Sequence, residues 1–249
     1  MVDLVKKQFA LKHVDIMTKA KAKVAIESDD GVHITFTMDD KENSVDADIV
    51  MVSVGRVPNT NDLGLQMAGV EVDKRGFIKV DEQGRTSQSH IFAIGDVTAG
   101  PALAHKASYE AKIAAAALAG QHVKIDYVAM PAVCSADPEL AIVGLSKKQA
   151  EEEGIEVNVS LFPFEASGTA ISLGETEGFV RLITEKHTGL ILGGQVAGVG
   201  AGAIIAELAL AIETRMNVED IALTIHAHPT MSEALLDSAD LALGLPIHI

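Results

Sequence analysis

The stretch Ala47-Asp48-Ile49-Val50-Met51-Val52-Ser53-Val54-Gly55 is almost continuously apolar and ends on a glycine. Such a run is typical of a strand that is covered on both faces, as the strands of parallel sheets are. A terminal glycine lets a backbone or a ligand approach closely. The stretch therefore predicts the end of an α/β domain, whether or not Gly55 contacts a ligand.

The sequence before this stretch predicts a short helix at residues 3–13 and a hairpin of strands at 14–27 and 32–38. The sequence after it predicts a second buried strand, Ile91-Phe92-Ala93-Ile94-Gly95-Asp96, which ends on a carboxylate. A break at Gly100-Pro101 follows. The alanine-rich run from Ala104 to Leu118 has no internal Pro or Gly, so it predicts a helix that packs closely against a flat surface.

From about residue 130 the pattern changes to short strands that alternate with helices, which predicts an α+β domain. The expected strands are at residues 140–143, 156–163, 179–184 and 190–196, and the expected helices at 146–153, 203–215 and 232–243.

Composition limits the class of protein. The chain has 249 residues, of which 48% are hydrophobic and 22% charged, so it can build one or two globular cores. A net charge of −15 argues against nucleic acid or an anionic membrane as a partner. Five glycines interrupt the most apolar region, residues 189–210, so no membrane span is expected. The single cysteine, Cys134, excludes an internal redox dithiol and fits a reducing compartment, so we expect a cytoplasmic location.

No Gly-x-Gly-x-x-Gly occurs on a strand-to-helix turn, so no complete dinucleotide-binding unit begins in the chain. The glycines from Gly198 to Gly202 have the wrong spacing and predict a tight turn into a helix. Two strand ends without the preceding βαβ unit suggest that the first half of the fold is missing.

The segment His226-Ala227-His228-Pro229-Thr230-Met231-Ser232-Glu233 places two imidazoles beside a proline and a glutamate at the opening of a helix. Imidazole titrates near neutrality, and a carboxylate on its far nitrogen would fix its tautomer, as in catalytic dyads. The residues alone also allow a zinc site, or a helix start that Ser232 or Thr230 caps. Zinc lacks a convincing third ligand, and no metal is expected.

Asp96 lies at the carboxyl end of its predicted strand, where a carboxylate can accept hydrogen bonds from sugar-like hydroxyls or simply cap a turn. Together with Thr86, Gly100-Pro101 and Leu103 to Ala107, this segment resembles the second flavin-binding segment of the pyridine nucleotide–disulphide oxidoreductases. The resemblance implies that Asp96 binds the ribityl chain of FAD. It also implies that Ala102, Leu103, Ala104 and His105 lie along the flavin ring, although His105 by itself could be a capping or packing residue.

Residues Val54 to Thr60 are similar to the strand at the exit from the NAD domain of this family, which implies that Gly55 contacts NAD. The implied domains are the carboxy-terminal part of a Rossmann-like NAD domain (1–57), a central FAD-contacting domain (58–128) and an α+β interface, or dimerisation, domain (129–249). Cys134 would lie at the entry to the interface domain, where we expect a buried structural thiol.

The segment 226–233 resembles the matching motif of the dihydrolipoamide dehydrogenases, a branch of that family. The resemblance implies FAD-dependent oxidation of protein-bound dihydrolipoamide with reduction of NAD, with His228 as acid–base residue and Glu233 as its orienting group. It implies a homodimer, an absent amino-terminal FAD domain with the redox disulphide, and lipoyl domains of 2-oxoacid dehydrogenase complexes as partners. The isolated chain is expected to be inactive. The alternatives are a relative similar to glutathione reductase or mercuric reductase, and a non-catalytic dimerisation module.

Overall fold

The computed structural model describes residues 1–248. Residues 6–57 form one compact unit, and residues 1–5 together with the chain from residue 58 onward form another. Helix α1 (Val2–Leu11) opens the chain. The predicted helix is therefore confirmed.

The unit at residues 6–57 is an antiparallel meander of β1 (Lys21–Ser28), β2 (Gly31–Met38) and β3 (Lys41–Ala47), in that order in the sheet. The hairpin β1–β2 is confirmed, but β1 starts seven residues after the predicted Val14, and β3 was missed. Gly31 is required at the turn, because a Cβ there would lie 2.6 Å from the carbonyl oxygen of Ala47.

The predicted buried strand at residues 47–55 is wrong. β3 ends at Ala47, and residues 48–57 form no strand. The side chains of Ile49, Met51 and Val54 are 86%, 86% and 94% exposed. A central parallel strand needs a backbone partner on each side, and none of the described strands pairs with this stretch.

Residues 58–128 contain little regular structure apart from α2 (Ala104–Leu118), which has the predicted bounds. A small apolar cluster of Val70, Ile78 and Ala93 holds the preceding loops together. The predicted strand at residues 91–96 is wrong, because Phe92 forms only an isolated bridge with Arg85, and Gly95–Val97 is one turn of 3-10 helix.

The remaining residues form a five-stranded antiparallel sheet in the order β4-β5-β8-β7-β6. Its strands are β4 (Ala132–Cys134), β5 (Leu140–Gly144), β6 (Val157–Pro163), β7 (Phe179–Glu185) and β8 (Ile191–Ala197). Its helices are α3 (Lys147–Glu152), α4 (Gly168–Leu173), α5 (Ala201–Glu213), α6 (Val218–Leu223) and α7 (Glu233–Ala242). The four predicted strands and three predicted helices are confirmed, whereas the short elements β4, α4 and α6 and a 3-10 turn at Phe164–Ala166 were missed.

Helices α5 and α7 pack on this sheet, α5 over β5 and β8 and α7 over β6 and β7. The core between them includes Phe162, Leu182, Ile205, Leu208 and Leu235, all almost fully buried. Gly194 on β8 lets α5 approach, because a Cβ there would lie 2.5 Å from Cδ1 of Leu208. No helix in residues 1–248 is both long enough and apolar enough to cross a membrane.

Candidate active site

The loop between α6 and α7 brings together the two residues that the sequence suggested as a dyad. Nδ1 of His228 lies 2.8 Å from Oε1 of Glu233, the first residue of α7. An ionised carboxylate can accept hydrogen bonds but cannot donate them. Nδ1 of His228 therefore carries the hydrogen and donates it. The other ring nitrogen, Nε2, then has its lone pair available as a base.

Glu233 is fixed by a second contact, because its Oε2 accepts a hydrogen bond of 2.7 Å from the backbone N–H of Thr230. The hydroxyl of Thr230 donates to the carbonyl oxygen of Ala227 at 2.8 Å. Burial acts to raise the pKa of Glu233, but the Thr230 amide and His228 outweigh it and hold the pKa below the ordinary value. Glu233 is therefore an anion at neutral pH.

The two partners differ in exposure. The side chain of His228 is 80% exposed, whereas that of Glu233 is 23% exposed. Within residues 1–248, Nε2 of His228 has no hydrogen-bond partner. The imidazole is thus held on one side and open on the other, which suits proton exchange with an incoming group.

His226 contacts a different carboxylate. Its Nε2 lies 2.9 Å from Oε1 of Glu207 on α5, and its Nδ1 lies 2.9 Å from the carbonyl oxygen of Thr224. Its side chain is only 4% exposed. Sequence reasoning missed this pair, because Glu207 is 19 residues away and only the packing of α5 brings it close.

These contacts bear on the two other interpretations of the segment. Each imidazole contacts its own carboxylate, so the two histidines are not arranged as ligands of one zinc ion. The side chains of Ser232 and Thr230 do not cap α7: Ser232 forms no capping hydrogen bond and the Thr230 hydroxyl donates to Ala227.

The segment expected to contact FAD surrounds the start of α2. Asp96 is exposed on the 3-10 turn, and Ala102, Ala104 and His105 are exposed around the helix start. Leu103, the N-cap residue, provides no side-chain cap, so the first amides of α2 are available to negative charge. Exposed small side chains beside a carboxylate and an uncapped helix start fit a flavin with its hydroxylated chain.

Gly55 and Cys134 are two further residues that the sequence singled out. Gly55, in the unit at residues 6–57, has a φ of 140°, and a Cβ there would meet no atom within 4 Å. This open backbone leaves room for a ligand. Cys134 is exposed at the end of the edge strand β4, so the prediction of a buried thiol is wrong. An edge strand has no neighbour on its outer side to cover the side chain.

His105 forms one contact that the sequence did not indicate. Its Nε2 donates a hydrogen bond of 2.7 Å to the carbonyl oxygen of Pro131. Sequence reasoning also gave no role to Lys106 and Glu110, which are almost fully buried on α2 and form an ion pair of 2.9 Å.

Comparison with known families gives two matches. Residues 1–111 match the family described as pyridine nucleotide-disulphide oxidoreductase, and residues 130–239 match the dimerisation domain of the same family.

Among curated proteins, the chain is 54% identical over 248 residues to a dihydrolipoyl dehydrogenase of Staphylococcus aureus and 52% identical over 249 residues to one of Geobacillus stearothermophilus. Each alignment covers 100% of this chain and 53% of the relative. The chain thus spans about half the length of the curated relatives it matches.

Among solved structures, LpdA from Mycobacterium tuberculosis superposes with a TM-score of 0.88 at 26% identity, covering 96% of this chain and 51% of that one. The HOCl-induced flavoprotein disulphide reductase RclA from Escherichia coli gives a TM-score of 0.87 at 26% identity, covering 96% of this chain and 55% of that one.

Proposed function

Because the chain belongs to the pyridine nucleotide–disulphide oxidoreductase family, we propose that it supplies the acid–base residues of a dihydrolipoyl dehydrogenase. The reaction is the FAD-dependent oxidation of protein-bound dihydrolipoamide to lipoamide, with reduction of NAD. The observation that carries the proposal is the 2.8 Å contact between Glu233 and an imidazole that is exposed on its other side. The names of the relatives that are 54% and 52% identical support the choice of substrate.

His228 acts on the thiol of the dihydrolipoyl group. The S–H bond breaks, the proton moves to Nε2 of His228, and the electron pair stays on sulphur as a thiolate, which can attack a disulphide. The chain has one cysteine, so its own residues do not supply that disulphide. When the reaction runs in reverse, the same imidazole returns the proton.

Glu233 supports this step in two ways. Its Oε1 accepts a hydrogen bond from Nδ1–H of His228, which leaves Nε2 as the basic nitrogen of the ring. Its negative charge also stabilises the imidazolium that forms when the proton arrives. The Thr230 amide keeps the carboxylate in place during the transfer.

The cofactor contacts are assigned to residues of this chain. Bound FAD would take up the two electrons of the dithiol and pass them to NAD. Asp96 would accept hydrogen bonds from the ribityl hydroxyls, and residues 102–105 would line the ring at the positive end of α2. Gly55 would lie against NAD.

Assembly and location are part of the proposal. A dimerisation-domain match over residues 130–239 supports a homodimer, and the relatives' name supports lipoyl domains of 2-oxoacid dehydrogenase complexes as partners. The proposed domain boundaries lie between residues 57 and 58, where the NAD domain ends, and between residues 128 and 129, where the interface domain begins. The single cysteine supports a cytoplasmic location.

Complementation tests the activity. The chain is mixed with the amino-terminal half of the Staphylococcus aureus relative, and flavin absorbance and lipoamide-dependent NADH formation are measured. We expect the wild-type mixture to turn over lipoamide in preference to glutathione disulphide and mercuric ion, and the chain alone to be inactive.

Two variants locate the acid–base group. His228→Gln should lower kcat in the complemented mixture, whereas His187→Gln, at an imidazole that is 73% exposed, should not. If flavin binds and His228→Gln retains full turnover, the acid–base assignment is wrong and a dimerisation module becomes the better interpretation.

A further inference from the structure

The ion pair Lys106–Glu110 lies inside the protein, on the face of α2 that covers the turn carrying Asp96. The side chain of Lys106 is 2% exposed and that of Glu110 is 8% exposed. Burial of two charges is costly even when they are paired, and apolar residues of similar volume often serve stability as well. Helix packing alone therefore gives no reason for a lysine and a glutamate at these positions.

Both side chains bond to the backbone of the same residue, Gly95. Oε2 of Glu110 accepts the backbone N–H of Gly95 at 2.7 Å, and Nζ of Lys106 donates to the carbonyl oxygen of Gly95 at 3.2 Å. Nζ also donates to Oγ1 of Thr98 at 3.1 Å, and that hydroxyl donates to the Gly95 oxygen at 2.8 Å. The residue before Asp96 is thus held at both its donor and its acceptor.

Packing adds to this restraint. Gly95 has a φ of 74°, and a Cβ there would lie 3.0 Å from Cβ of Ala107 on α2. Gly100 is equally close to Lys106, because a Cβ there would lie 2.8 Å from its Cε. The turn at residues 95–97 therefore lies directly on α2, next to the first turns of that helix.

We infer that Lys106 and Glu110 are positioning residues, which fix the backbone on both sides of the Gly95 Cα so that Asp96 is presented to the flavin. This inference rests on the proposed FAD contact of Asp96. The three hydrogens of the Lys106 ammonium have three acceptors, in Glu110, Thr98 and Gly95, so the group has no capacity left for a ligand. It acts on the flavin only through the turn.

The first experiment measures the turn itself. In the ¹⁵N-labelled chain, the double variant Lys106→Met/Glu110→Leu replaces the pair by apolar side chains. The variant should stay folded with a lower unfolding temperature, because the buried Gly95 amide loses its acceptor. Amide hydrogen exchange at Gly95 should accelerate by roughly 100-fold or more. Amides of α5 should not change. Unchanged exchange at Gly95 would overturn the inference.

Two further variants complete this measurement. Lys112→Met removes an exposed lysine from the same helix and should leave Gly95 unaffected. Thr98→Val keeps the ion pair but removes one contact of Lys106, so it should accelerate exchange at Gly95 to a smaller extent. This milder variant decides the question if the double variant fails to fold.

The second experiment measures FAD binding, by flavin fluorescence, to the chain complemented with the amino-terminal half of the Staphylococcus aureus relative. The Kd should rise by at least about tenfold in the double variant and stay unchanged in Lys112→Met. Faster exchange at Gly95 with an unchanged Kd would overturn the positioning role. If the wild-type mixture binds no FAD, the proposed FAD contact itself fails, and the exchange data separate that result from an error in the turn.

Discussion

His226 and His228 are separated by one residue, and each imidazole contacts a glutamate, at 2.9 and 2.8 Å respectively. The side chain of His228 is 80% exposed and has an open Nε2, whereas that of His226 is 4% exposed and has acceptors on both nitrogens. The same pair of residue types can therefore serve proton transfer in one place and attachment of a loop in the other. The two imidazoles differ in whether solvent or a substrate can reach the ring nitrogen that does not contact the glutamate.

The largest expected effect is on activity at His228. In the complemented mixture, His228→Gln should lower kcat by about 10²–10⁴-fold, the range for loss of a general base. Its free energy of unfolding should change by less than about 0.5 kcal/mol, since the side chain is exposed. Stopped-flow kinetics and urea denaturation measure the two quantities. A large loss of stability would remove the distinction between the two histidines.

The reverse pattern is expected at His226. His226→Leu should lower the free energy of unfolding by roughly 1 kcal/mol, because it removes the polar contacts of a buried imidazole with the Glu207 carboxylate and the Thr224 carbonyl. Glu207→Gln, which keeps an acceptor at the same place, should cost less. Urea denaturation checks both variants. If His226→Leu were as stable as wild type, the buried pair would not hold the loop.

Lowering the pH should reveal how much ionised Glu233 contributes to the free energy of unfolding. Its folded pKa lies below the ordinary value of 4.5, so ionised Glu233 stabilises the fold fully above about pH 4.5. That contribution is lost as the pH falls through the folded pKa. The difference in unfolding free energy between wild type and Glu233→Gln should be constant from pH 8 to 5 and shrink below pH 4.5. A constant difference down to pH 3 would contradict the Thr230 and His228 contacts.

The smallest effect is expected one turn further along α7, where Nδ1 of His248 lies 2.8 Å from Oδ1 of Asp237. The hydrogen bond that His248 donates to Asp237 raises the pKa of His248 above 6.5, so its contribution to stability is present below pH 6.5 and is lost as the pH rises through the raised pKa. His248→Asn should cost at most about 1 kcal/mol at pH 6, since the imidazole is exposed, and nothing at pH 9. Asp237→Asn should abolish this pH dependence, and thermal unfolding at both pH values measures it.

Local signals predicted much of this structure. The bounds of α2 followed from an alanine-rich run. The His228–Glu233 contact was one of three interpretations that the residues allowed, and the resemblance to the dihydrolipoamide dehydrogenases favoured it. Four of the five strands of the antiparallel sheet, β5 to β8, were predicted to within two residues, since each alternates or is strongly apolar.

Non-local features could not be predicted in the same way. Residues 47–55 have the composition of a central strand, but a strand forms only where partners exist, and the described residues provide none. Glu207 lies 19 residues before His226, and Gly95 lies 11 residues before Lys106 and 15 before Glu110. Such contacts depend on how helices pack, which sequence spacing does not encode.

Gly194, on β8, has a consequence for the position of the loop that carries His228. Its missing side chain lets Leu208 pack against the sheet, and Leu208 follows Glu207, which contacts His226 in that loop. Leu208 is fully buried, so a methyl group at position 194 would have to displace it. The placement of the exposed imidazole of His228 thus depends on the absence of a side chain in a strand that carries no reactive group.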